Sequence, residues 1–118
     1  MKNEGRLKKS KEFGYVYKRG KSYADRFLIM YIVPNNSQSN KVGFSVSKKV
    51  GNSVKRNKIK RRLREIFRLN NNDIKKGYNL VFIPRAQISK AEYKDIENSM
   101  INLFKKAKIL ENKRDERW

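Results

Sequence analysis

The apolar residues of this chain come in short runs whose period changes along it. Phe13, Val16 and Tyr17 share one face of a short helix, with Ser10 as the expected N-cap and Gly20 as the stop. Residues 26–33 read Arg-Phe-Leu-Ile-Met-Tyr-Ile-Val, a strand without polar alternation and so covered on both faces. Phe27, Ile29 and Tyr31 point one way, Leu28, Met30 and Ile32 the other. A polar turn over 34–40 leads to a second strand, 41–47. It sets Val42, Phe44 and Val46 against Gly43, Ser45 and Ser47. These two strands are expected to form a hairpin. A helix over about 54–69, capped by Asn52 or Ser53, carries Ile59, Leu63, Ile66 and Phe67 as its stripe. Residues 79–83 form another strand, closed by Pro84. The final helix, about 90–110, steps through Tyr93, Ile96, Met100, Leu103, Ala107 and Leu110.

The predicted order α-β-β-α-β-α points to an α+β fold, an α/β sandwich with one sheet of about four strands packed with helices. A length of 118 residues fits one domain, with flexible charged ends over 1–9 and 112–118. No stretch is apolar and long enough to span a bilayer, and no signal-peptide run opens the chain.

Charge narrows the function. Thirty-one Lys and Arg oppose eleven Asp and Glu, a net charge of +20. A small soluble domain needs a net charge of only about 2 to 8, so the excess calls for a polyanion, of which nucleic acid is the commonest. There is no Cys and no His. Thiol chemistry, disulfides, most zinc sites and the usual general base are thereby removed, and a cytoplasmic location is expected.

The charge concentrates in residues 48–68. Ten are basic (Lys48, Lys49, Lys55, Arg56, Lys58, Lys60, Arg61, Arg62, Arg64, Arg68) against Glu65 alone, a net +9. At about 100° per residue, Asn57, Lys60, Arg61, Arg64 and Arg68 fall within about a third of the circumference, away from the apolar stripe. Like-charge pairs four apart, such as Arg56/Lys60 and Lys60/Arg64, each destabilise an isolated helix by about 0.2–0.5 kcal/mol. A bound polyanion reverses that sign. The free N–H groups near Asn52, beside Lys48, Lys49 and Arg56, make an anion site.

The run Val42-Gly43-Phe44-Ser45-Val46-Ser47-Lys48-Lys49-Val50-Gly51-Asn52-Ser53-Val54-Lys55-Arg56-Asn57-Lys58-Ile59-Lys60-Arg61-Arg62-Leu63-Arg64-Glu65 closely resembles the signature of the bacterial ribonuclease P protein component. Arg56-Asn57, Lys60-Arg61 and Arg64 resemble its "RNR" motif. The likeness extends to Arg6-Leu7-Lys8-Lys9, Tyr17-Lys18-Arg19-Gly20, Ala24-Asp25-Arg26, Arg85 and the last helix. Tyr17 stands where the family more often has Phe, and Phe44 where a smaller aliphatic is commoner.

The resemblance implies a left-handed β-α-β crossover, against the usual right-handed statistics. It implies that Lys48, Lys49, Asn52, Arg56, Asn57, Lys60, Arg61, Arg64 and Arg68 contact ribonuclease P RNA. Phe13, Tyr17, Tyr31, Ser45, Ser47 and Arg85 would line a cleft for the 5′ leader of precursor tRNA, a use consistent with aromatic stacking in a basic groove. The RNA subunit would carry out Mg²⁺-assisted hydrolysis, and this chain would be an accessory subunit without catalytic side chains. Neither a membrane nor a small-molecule substrate is expected. Two rivals are a structural protein binding ribosomal RNA and a DNA-binding helix-turn-helix module. The second is weakened because strands, not a partner helix, precede 54–69.

Overall fold

The computed structural model describes residues 5–111; residues 1–4 of the end expected to be flexible over 1–9, and the end 112–118, lie outside them. The elements are α1 (Ser10–Arg19), β1 (Lys21–Ala24), β2 (Leu28–Pro34), β3 (Lys41–Phe44), α2 (Ser53–Asn70), β4 (Tyr78–Pro84) and α3 (Tyr93–Lys106). Single 3-10 segments occupy Lys48–Val50, Asn71–Asp73 and Ala86–Lys90.

The strands form one sheet in the order β1-β2-β4-β3. This corrects the expected hairpin: β2 and β3 do not pair, because β4 lies between them. Leu80, Val81 and Phe82 of β4 are fully buried, so this strand takes a central place. β3 runs parallel to β4, and α2 makes the crossover that a parallel pair requires. The hairpin is instead β1–β2, and β1 is a strand that the sequence pattern did not predict. Its residues, Lys-Ser-Tyr-Ala, are exposed or half-buried, as suits an edge strand.

Two cores flank the sheet. On one face α2 and α3 bury Ile59, Leu63, Ile66, Ile96, Met100, Leu103 and Phe104 against Leu28, Met30, Leu80 and Phe82. The rings of Phe44 and Phe82 stack with centroids 6.0 Å apart, which gives the bulky Phe44 its place. On the other face α1 covers a smaller core of Leu7, Val16, Val33 and Val81.

Caps set the helix ends. Asn52 caps α2, its Oδ1 accepting from the Lys55 N–H at 2.9 Å. Ser10 is not the cap of α1 but its first residue; the Glu12 carboxylate reaches back to the N–H groups of Lys8 (2.8 Å) and Lys9 (3.1 Å). α3 begins at Tyr93 rather than Lys90, since Ala86–Lys90 form a 3-10 segment and Glu92 caps the helix. It ends before Lys108, whose φ of 61° is left-handed, so Leu110 leaves the helix and bridges Ile74 instead.

Side-chain bonds tie the connections down. Buried Asn40 donates to Asn71 Oδ1 and the Lys75 carbonyl and accepts from the Tyr78 N–H. Asp25 Oδ1 accepts from the N–H groups of Phe27 and Leu28 and from Ser99 Oγ, fastening the β1–β2 turn to α3.

Candidate nucleic-acid interface

Residues 5–9 were expected to be part of a free basic arm. They are docked: Leu7 is buried, its N–H donates to the Val42 carbonyl at 3.0 Å, and the Val42 N–H donates to the Gly5 carbonyl at 2.8 Å. This short pairing covers the outer edge of β3 and carries Arg6 and Lys8 to the rim of a cleft.

The cleft has a volume of about 260 Å³ and draws on four elements. The N-terminal segment supplies Arg6 and Lys8, α1 supplies Phe13, β3 supplies Gly43, and α2 supplies Lys60 and Arg64. Arg64 carries the strongest signal. Its Nε is buried and has no hydrogen-bond partner among the described residues. Burial, and then the charge of Arg6, lower its pKa from the ordinary arginine value. A buried donor without an acceptor is unfavourable, and an anion seated between Arg6, Lys60 and Arg64 would relieve it. Arg6 and Lys8 were missing from the sequence-derived site because nothing in the local pattern showed that their segment pairs with β3.

The remaining cations of α2 divide. Asn57, Arg61 and Arg68 are exposed on the helix, as are Lys48, Lys49 and Asn52 before it. Arg56 is half-buried and donates from Nη1 to the Gly51 carbonyl at 3.1 Å, which holds it against the loop that opens α2. Asn52 already spends its side-chain oxygen on the helix cap. Glu65 acts toward α3, where, after burial, its charge raises the pKa of Tyr93. Glu65 is exposed and is not among the described residues that line the cleft.

On the α1 side of the sheet Tyr17 and Tyr31 meet edge to face at 5.1 Å. Phe13 and Tyr31 both pack on the smaller core. Tyr17 is 37% exposed, so part of its ring remains open to a ligand. Phe13 lies against Gly43, where any side chain would meet its ring. Ser45 follows Gly43 on the same face by strand alternation, with its N–H bonded to the Phe82 carbonyl. Ser47 Oγ accepts from the Lys49 N–H, so it shapes the 3-10 turn that presents Lys48 and Lys49. Arg85 is exposed beyond the end of β4, and its backbone N–H bonds the Phe27 carbonyl. The structure therefore joins Phe13, Lys60 and Arg64 in one cleft and Tyr17 with Tyr31 beside α1. It puts Ser47 at the start of the 3-10 turn that follows β3 and Arg85 just past the end of β4.

The family model for ribonuclease P matches residues 1–108. The chain belongs to the ribonuclease P protein family. It is 53% identical over 107 residues to the ribonuclease P protein component of Clostridium botulinum strain Loch Maree, covering 90% of this chain and 96% of that protein. The corresponding protein of Alkaliphilus metalliredigens is 44% identical over 110 residues, covering 93% of this chain and 99% of that one. The RNase P protein of Staphylococcus aureus superposes with a TM-score of 0.84 at 36% identity, over 92% of this chain and 99% of that one. That of Thermotoga maritima gives 0.80 at 32% identity, over 86% and 96%. As a ribonuclease P protein, the chain is the accessory subunit of an endoribonuclease ribonucleoprotein, and its partner is RNA. Among the described residues no helix is long and apolar enough to cross a membrane.

Proposed function

We propose that this chain binds the catalytic ribonuclease P RNA through the cationic face of α2 and holds the 5′ leader of precursor tRNA on the α1 side of the sheet. It thereby promotes removal of the leader in the cytoplasm. The observation that carries this reading is the buried, unpartnered Nε of Arg64 beside Arg6 and Lys60, a geometry suited to a phosphate. Lys48, Lys49, Arg56, Asn57, Arg61 and Arg68 extend that contact along the backbone of the RNA, and Tyr17 and Tyr31 offer ring faces to unpaired bases.

Magnesium enters as the ion of the ribonucleoprotein. Among the described residues no group of three or more His, Cys, Asp or Glu could hold a metal. No ligand for that ion is assigned on this chain. The chain's own contribution is screening and positioning, and the chemistry belongs to the RNA.

The decisive experiment adds the protein to a bacterial ribonuclease P RNA at low magnesium and follows cleavage of precursor tRNA. Cleavage should rise with the intact protein and fall with the quadruple variant Arg56→Ala, Lys60→Ala, Arg61→Ala, Arg64→Ala. Tyr31→Ala should narrow the preference for leader-bearing over leaderless tRNA. Stimulation unchanged by the quadruple variant would end the reading.

A further inference from the structure

A second groove lies on the opposite face of the sheet from Tyr17 and Tyr31. Tyr23, Ile32, Tyr78 and Ile109 line it, and Arg19 and Lys21 border it. It sits where β1 starts, β2 ends and α3 gives way to the loop through Lys108. It shares no residue with the cleft of Arg6 and Arg64. β1 and β3 are the two opposite edges of the sheet, so the groove at β1 is also remote from the β3 edge where residues 5–7 dock.

Its chemistry is specific. Tyr23 and Tyr78 are half-buried, each packed on the main core while still lining the groove. Arg19 and Lys21 are exposed, as are the neighbouring Lys106 and Lys108. Among the described residues no carboxylate lines it. The volume, about 270 Å³, is at the lower end for ligand pockets and suits one planar ring rather than a packed helix or strand. An apolar ligand would leave the cations unused, and a bare anion would leave the two rings unused. A nucleotide uses both.

We infer that this corner groove takes one nucleotide of single-stranded RNA, its base against Tyr23 or Tyr78 and its phosphate against Arg19 and Lys21. One helical turn before Arg19, Tyr15 stands 53% exposed between Lys11 and Lys18 on the outer side of α1. It continues the same pattern of ring and cation, so the strand runs from the groove along α1. The groove lies at the β1 edge of the sheet and the cleft at the β3 edge. The site stands on its own residues, whether or not α2 contacts RNA.

The test is a titration of the isotope-labelled full chain with a short oligouridylate, followed by NMR. Amide signals of Lys21, Tyr23 and Tyr78 should move. Arg19→Glu with Lys21→Glu, both at exposed positions, should weaken that response about five-fold or more while responses on α2 persist. Tyr23→Leu keeps an apolar floor without the ring face and should weaken it about as much. Shifts confined to α2 and the cleft would overturn the inference. So would an unchanged groove response in the charge-reversed chain, or the same groove shifts with inorganic phosphate alone. A variant ending at Glu111 separates the remaining occupant: groove signals that move on loss of residues 112–118, without RNA, would assign the groove to the chain's own tail and overturn the proposal.

Discussion

Gly43 and Phe13 are in such close contact that a Cβ on Gly43 would lie 2.5 Å from the Phe13 ring. The edge strand and α1 meet at this pair, and Phe13 forms part of the cleft wall beside Arg64. Gly43→Ala should therefore push the ring outward and destabilise the fold by about 1–3 kcal/mol, the usual range for overpacking. Urea melts measure the loss. A variant as stable as the parent would mean that Phe13 moves freely.

Arg64 should separate stability from binding. Replacing it by Gln removes a half-buried guanidinium whose buried Nε is unpaired, so the free protein should hold its stability. RNA affinity should fall, and the slope of log affinity against log salt should flatten by about one charge. Fluorescence anisotropy across a salt series reads both effects. A large loss of stability in the free protein would show that Arg64 is a structural residue.

Asn40 joins three backbone or side-chain groups of the connection between α2 and β4. Asn40→Ala leaves the Tyr78 N–H without its acceptor. A destabilisation of about 1–3 kcal/mol is expected, seen as a lower midpoint in thermal or urea unfolding.

Glu12 gives the fold an acid-sensitive element. The backbone N–H groups of Lys8 and Lys9 hold its carboxyl below the ordinary value of 4.5. A depressed carboxylate contributes stability above its unfolded pKa, and loses it as pH falls through the folded value. The start of α1 should accordingly loosen below about pH 4.5, and Glu12→Gln should remove that pH dependence. Amide exchange of Lys8 and Lys9, followed against pH, is the measurement.

Much of this architecture was legible in the residues. The stripe of Ile59, Leu63, Ile66 and Phe67 fixed which side of α2 faces inward, and so which side is cationic. The strand order was not legible, because β2, β3 and β4 are each apolar enough to accept more than one neighbour. β1 escaped notice because an exposed edge strand carries little hydrophobic alternation. Asp25 closes the β1–β2 turn onto Ser99, 74 residues away in sequence, a contact that no local pattern encodes. Arg6 and Lys8 escaped for the same reason: their place in the cleft depends on the distant pairing with Val42, which no local period encodes.

The insertion of β4 between β2 and β3 has a consequence for synthesis. A ribosome releases both outer partners of this strand well before Tyr78 emerges, and until then β2 has only β1 beside it while β3 has no strand neighbour. The nascent chain must therefore carry two apolar strands with open hydrogen-bonding edges while the basic helix is being made. Slow elongation beyond α2 would prolong that exposed state, and a chaperone or the RNA itself would find the unfinished sheet at that moment.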